Sequence, residues 1–84
     1  MSYQVNFISN GKTIRSATVE ANGSRHAMQV AANALYGKRC VFSADMGMDR
    51  GDDYAYGQIM RGVGHTGQMT SVTGRMRCDV SETQ

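Results

Sequence analysis

The side chains best suited to chemistry fall into a few small groups. Asp45, Asp49, Asp52 and Asp53 crowd one short segment, diluted only by Arg50. Clustered carboxylate oxygens are what a hard cation requires, yet the spacing does not follow the helix–loop–helix calcium pattern and no glutamate closes it. A negatively charged docking segment is the better reading, with Tyr54 and Tyr56 directly after it. Cys40 with His26 or His65 is the obvious thiol–imidazole combination. His26 falls in the first turn of a predicted helix and His65 in a glycine turn, so neither is held beside the thiol. Gly62, Gly64 and Gly67 match the letters of a dinucleotide fingerprint but open no helix in a β-α-β unit. Arg50-Gly51-Asp52 spells the cell-adhesion tripeptide by letters alone, and nothing indicates export.

Arg61, Arg75 and Arg77 form a basic stretch that meets no acid until Asp79. On a sheet face with Tyr54 and Tyr56 they could stack bases and neutralise phosphates. The formal charge of +2 is small for that task, and no RNP-like motif or G-x-x-G loop entering a helix is present. The composition suits a protein interface better. Seven methionines include Met46, Met48 and Met69 in or near loops, where they offer adaptable contact surface beside the tyrosines and arginines.

Binding is therefore expected rather than catalysis. The leading reading is a non-enzymatic protein-binding module that uses Asp45, Asp49, Arg50, Asp52, Asp53, Tyr54 and Tyr56. The alternative is a single-stranded nucleic-acid binder that uses Arg61, Arg75 and Arg77. No catalytic residue, metal-ligand set or cofactor is expected.

The elements that position these residues are legible from spacing. Residues 1–21 read as a β-hairpin around the strong turn signal Asn10-Gly11. A three-residue loop, Ser9-Asn10-Gly11, pairs Tyr3 with Ala17 and Val5 with Arg15. That register places Met1, Tyr3, Val5, Phe7, Ala17, Val19 and Ala21 on one face, whereas a plain two-residue loop splits them. Ser24 is an N-cap candidate, residues 25–36 have helical periodicity, and Gly37 supplies the stop. Ala27, Met28, Ala31, Ala34 and Leu35 fall on the apolar stripe of this helix.

Cys40-Val41-Phe42 marks a short buried strand within residues 38–44, residues 45–53 a loop, and residues 54–61 a further strand. The run from Thr70 to Val80 alternates most clearly, with Gly74 marking a bulge or bend in it. Residues 81–84 read as a loose tail. The order β-β-α-β-β-β predicts an α+β fold, one antiparallel sheet with one helix packed on a face. The chain contains no proline, so the edge strands lack one common guard and are open to pairing with a partner or a second copy as a homodimer.

Eighty-four residues make a single domain, near the lower limit for one core without staples. No apolar run is long enough to cross a bilayer, and no partner membrane is expected. The opening residues lack a signal peptide's basic and apolar regions, which makes cytoplasmic residence the expectation. Two cysteines, Cys40 and Cys78, are too few for a secreted disulfide scaffold.

The opening Ser2-Tyr3-Gln4-Val5-Asn6, then Gly11-Lys12, a second strand, and an alanine-and-methionine helix ending Tyr36-Gly37, resembles small phage-encoded anti-CRISPR proteins. Several of those are similar in length and look like a hairpin packed by one helix. The likeness covers roughly residues 1–40 and rests on composition and element order. It implies a non-enzymatic inhibitor that occupies a surface of a bacterial CRISPR effector or other host nucleoprotein complex. Such inhibitors often use acidic residues to mimic or block nucleic acid, a role the resemblance offers to residues 45–53. The positive net charge departs from an overall DNA-mimic pattern, and no motif aligns residue by residue.

Overall fold

The computed structural model describes residues 1–47, 53–63 and 67–83. Strands β1 (Ser2–Ser9) and β2 (Lys12–Glu20) are followed by helix α1 (Ser24–Tyr36). The remaining strands are β3 (Cys40–Gly47), β4 (Tyr54–Val63), β5 (Gln68–Ser71) and β6 (Met76–Thr83). All pairings are antiparallel, in the order β2-β1-β6-β4-β3, with β5 also beside β4. This is the α+β sheet with a covering helix that the residue pattern predicts.

The hairpin keeps its predicted face but reaches it by another register. Asn10 and Gly11, at φ 54° and 77°, make a two-residue turn that brings Ser9 opposite Lys12. One strand residue later the ladder slips, because Ile8 faces Thr13 while Phe7 faces Arg15 and leaves Ile14 over. This bulge restores the parity that the tight turn alone would spoil. Tyr3 therefore pairs with Val19, not Ala17, and Val5 with Ala17, not Arg15. A shift of two residues leaves every side chain on its own face. Tyr3, Val5, Phe7, Val19 and Ala21 are buried and Ala17 packs against them, whereas Met1, expected on this face, is exposed at the strand end.

The helix begins at Ser24 itself, one residue before the predicted start, with Gly23 at the cap position and no side-chain cap. His26 Nδ1 instead accepts a hydrogen bond from the Asn22 amide at 3.0 Å. Its buried stripe is Ala27, Met28, Ala31 and Ala32. Ala34, expected on that stripe, is exposed, because the stripe turns toward Ala32 rather than Ala34 as the helix crosses the sheet. Gly37 ends the helix at φ 118°, a conformation open to glycine, and its amide bonds Asn33 O.

The helix touches both outer strands, β2 and β3, as well as the inner β1 and β6. Five strands laid flat would separate their outer members by roughly 19 Å, too far for one helix about 10 Å wide. The sheet must therefore curl around the helix. Phe7, Ile59, Val5 and Val80, all fully buried, fill the trough that the alanines leave. Phe7 meets Tyr36 edge-on at 5.6 Å and Phe42 at 5.8 Å.

Two irregularities shape the far half. In β3, Ala44 faces Gly57 and Met46 faces Tyr56, so Asp45 is an extra residue in a bulge. Asp45 thus belongs to a strand and not to the predicted loop, since β3 runs on to Gly47. The second irregularity splits the predicted last strand into β5 and β6. Met60 faces Ser71 and Gly57 faces Met76, so two residues of β4 oppose an excursion through residues 72–75. The Val72 amide bonds Ile59 O at 2.8 Å and Thr73 Oγ1 accepts the Ile59 amide at 3.1 Å, which pins the excursion to β4. Gly74 lies within it, at the predicted bend. The expected loose tail is also strand up to Thr83, because β1 offers a ladder that pairs Ser2 with Thr83.

Gly57 sits where bulged β3 bends over β4. A β-carbon there would lie 2.0 Å from the Ser43 carbonyl oxygen and 2.9 Å from Ala44 Cα, both backbone atoms. Gly57→Ala is therefore expected to destabilise the fold by on the order of 3 kcal/mol. Gly62→Ala, where a β-carbon meets nothing within 4 Å, is the control that separates crowding from a general loss of glycine. Urea midpoints of the two variants check this, and equal midpoints would refute the crowding argument.

Candidate docking face

Strand alternation sends one set of side chains to the helix and leaves the other on an open face. Along β4 this exposes Tyr54, Tyr56 and Gln58, and along β6 Arg77 and Asp79. Register aligns them in rows: Ile8, Arg77 and Tyr56 in one, Asn6, Asp79 and Tyr54 in the next. Tyr54 and Tyr56, expected at the docking segment and also beside the basic residues of the alternative, do share a face with Arg77.

Arg77 is the centre of this arrangement. Its guanidinium carbon lies 4.6 Å from the Tyr54 ring centroid and 5.9 Å from that of Tyr56. The two tyrosine rings meet edge to face at 5.9 Å. Arg77 Nε donates to Asp79 Oδ1, and Nη1 donates to the Tyr56 hydroxyl at 3.5 Å. These two contacts, Asp79 first, hold Arg77 even more firmly protonated than a free arginine. A planar cation stacked on rings and anchored by a carboxylate loses little freedom when a ligand covers it. Asp79 was not among the residues singled out from the sequence, although its i, i+2 relation to Arg77 on an alternating strand places both on one face.

Arg75 forms an ion pair with Asp45, the bulged residue of β3. The bulge thus turns a mid-strand carboxylate toward the start of β6. Both groups are about half exposed, so the pair adds little stability and chiefly neutralises charge. Beside it opens a groove of about 340 Å³ lined by Ile8, the Asn10-Gly11 turn, Tyr56, Met76 and Arg77. The aromatic and basic end of the face gives way along β1 and β2 to small polar groups. There Thr18 Oγ1 donates to Gln4 Oε1 at 2.8 Å, and Gln4 Nε2 donates to Asn6 Oδ1 at 3.1 Å.

The remaining expected site residues are placed differently. Asp49, Arg50 and Asp52 lie outside the described residues, as do Met48 and His65. Asp53 is exposed beside Tyr54, and its carbonyl accepts the Val80 amide at 2.7 Å. Arg61 leaves the predicted basic trio. It follows buried Ile59 by two residues and faces Cys40, so alternation directs it to the helix side of the sheet. Among the described residues, no three of His, Cys, Asp and Glu gather as a metal site.

Cys40 and Cys78 are both free and buried. The Cys40 thiol donates to Tyr36 O at 3.4 Å at the end of the helix. His26 is ten residues back from Tyr36, roughly 15 Å along the axis, which separates that imidazole from the thiol. Burial, with Asp79 adding to it, pushes the Cys78 thiol up to about 12. Tyr36 is also raised by burial, against the pull of Arg15 over its ring. Its hydroxyl is buried and finds no hydrogen-bond partner among the described residues.

Comparison with protein-family models, curated proteins and solved structures finds no match to this chain.

The raised thiol yields a pH dependence with a definite sign. Cys78 ionises more readily in the unfolded chain, near pH 8.5, than in the fold. Its contribution is complete below that pH and is lost as pH climbs toward 12. Unfolding free energy measured by denaturant titration should therefore decline across this alkaline window, with Tyr36 acting in the same direction. Cys78→Ala should flatten the decline; an unaltered slope would remove Cys78 as its source.

Proposed function

We propose that this chain is a protein-binding module whose docking surface is the open sheet face centred on Tyr56 and Arg77. One observation carries the reading: the arginines of the face are already matched by carboxylates of the same face, Arg75 by Asp45 and Arg77 by Asp79. A phosphate backbone would have to compete with those carboxylates for both cations, and nucleic-acid surfaces depend on cations that release counterions instead. A charge-balanced patch built from tyrosine and arginine has the make-up of a protein interface centre.

Asp45, paired with Arg75, and exposed Asp53, next to Tyr54, form the rim of that surface. The narrower reading is an inhibitor that docks on a bacterial CRISPR effector or other host nucleoprotein complex. It draws on the hairpin-then-helix order of the first part of the chain. The alternative of a single-stranded nucleic-acid binder draws on the pair of tyrosines beside Arg77, where bases could stack.

Capture from bacterial lysate with three tagged forms tests the proposal: the wild type, the Tyr56→Ala/Arg77→Ala double variant, and Lys38→Ala as a control away from the face. A fluorescent oligothymidylate titration runs beside it. The expected result is a protein retained in stoichiometric amount by the wild type and Lys38→Ala. The double variant, with an unchanged circular dichroism spectrum, should lose about 2 kcal/mol or more of affinity, roughly 30-fold. Equal retention by the double variant overturns the assignment of the face. Tight oligothymidylate binding that collapses with salt and disappears in the double variant overturns the protein partner in favour of nucleic acid.

A further inference from the structure

The two end strands of the β2-β1-β6-β4-β3 order are finished differently. At β3, the side chain of Gln29 reaches from the helix and bonds the backbone of Phe42 on both sides. Gln29 Nε2 donates to Phe42 O at 2.9 Å, and the Phe42 amide donates to Gln29 Oε1 at 2.9 Å. A carboxamide thus satisfies the donor and acceptor that an added strand would need, and closes that edge at its centre.

At β2 the edge stays open. The Ala21 amide donates to Met1 O at 2.9 Å and the Met1 amine to Ala21 O at 3.3 Å, which fixes which residues face β1. Counting by twos along the register, Val19 and Ala17 turn their backbone groups toward β1. Ser16, Thr18 and Glu20 turn theirs outward. No hydrogen bond to these outward backbone groups is found among the described residues.

A flank of apolar side chains borders this edge on the helix side. At 100° per residue, Val30 and Ala34 lie on the side of α1 away from Gln29, and so toward β2. Val30 is half-buried and Ala34 exposed, and Ala17 of β2, like Val30, is half-buried against the core. Ile14, extruded by the hairpin bulge, is 49% exposed.

We infer that a second copy of this chain pairs with β2 edge to edge, antiparallel, about a two-fold axis at Thr18. In that register Thr18 faces its own counterpart, Ala17 faces Val19, and Ser16 faces Glu20. No two like charges are opposed, and the central pairs are threonine with threonine and aliphatic with aliphatic. The apolar flanks of both helices meet above the new ladder. A β2-to-β2 contact uses the same surface twice and closes as a dimer. A β2-to-β3 contact would leave an edge free at each end and grow into a fibre. Gln29 blocks that second route. The inference is independent of the docking face, which stays open in such a dimer.

Sedimentation equilibrium and amide hydrogen exchange on the purified chain test it, from about 1 µM to about 1 mM. The expected result is a reversible monomer–dimer equilibrium, with exchange at the Thr18 amide slowing as concentration rises. Thr18→Pro removes a donor that β1 does not use, so it should give a monomer with an unchanged circular dichroism spectrum. Gln29→Ala should yield species larger than a dimer. A wild-type monomer throughout the range, or a dimer whose Thr18 amide exchanges at the monomer's rate, overturns the inference even if Thr18→Pro does not fold. A Gln29→Ala species no larger than the wild type's overturns the role of the guard.

Discussion

A single helix with an alanine-rich face has to cover one side of a sheet five strands across, and the rest of the molecule follows from that shortage of apolar bulk. Small side chains let the helix sink toward the strands, but they fill little volume. The sheet answers by supplying the large residues, Phe7, Ile59, Val5 and Val80, and by curling until its outer strands touch the helix. Curling requires bends at defined places. The bulges at Ile14 and Asp45 and the excursion through residues 72–75 are those places. Gly57 is bare of a side chain because the bent backbone of β3 occupies the space.

The other face of the sheet inherits what the core does not use. Alternation leaves Tyr54, Tyr56, Arg77 and Asp79 in contact there without further design, because their neighbours in sequence are the buried Ala55, Cys78 and Val80. What distinguishes the face from an ordinary polar surface is that its cation is held in place. Arg77 rests on two rings and a carboxylate, and the tyrosines hold each other edge to face. Such a surface presents one fixed arrangement to a partner, with little side-chain entropy left to lose on contact.

Much of this was legible in the residues, and the parts that were not share a cause. Alternation of apolar residues assigned the inward faces of the first two strands and of residues 76–80, because parity is local. The pairing partners of Tyr3 and Val5 were misjudged because a tight turn and a bulge together mimic a three-residue loop, and only the ladder tells them apart. The split of the last strand was half visible: Gly74 announced a bend, but the pinning of Val72 and Thr73 to Ile59 depends on a distant strand. Arg61 was grouped with Arg75 and Arg77 by closeness in sequence, whereas an odd count of residues from Ile59's face to that of Tyr56 separates them. That the tyrosines share a face with Arg77 was legible, but the direct pairing of Tyr56 with Arg77 and of Tyr54 with Asp79 depends on β4 lying next to β6, which no spacing reveals.

The pairing of Ser2 with Thr83 has a consequence for how the molecule can be connected to others. Its two chain ends emerge at one corner, side by side on neighbouring strands. A tether of a few residues could bridge them and make a circular backbone, and a new opening could be cut in the Asn10-Gly11 turn with the ladders left intact. For the same reason the whole fold could be carried as an insertion in a surface loop of a host protein. Force applied across its ends would peel β1 from β6 one hydrogen bond at a time instead of shearing them together.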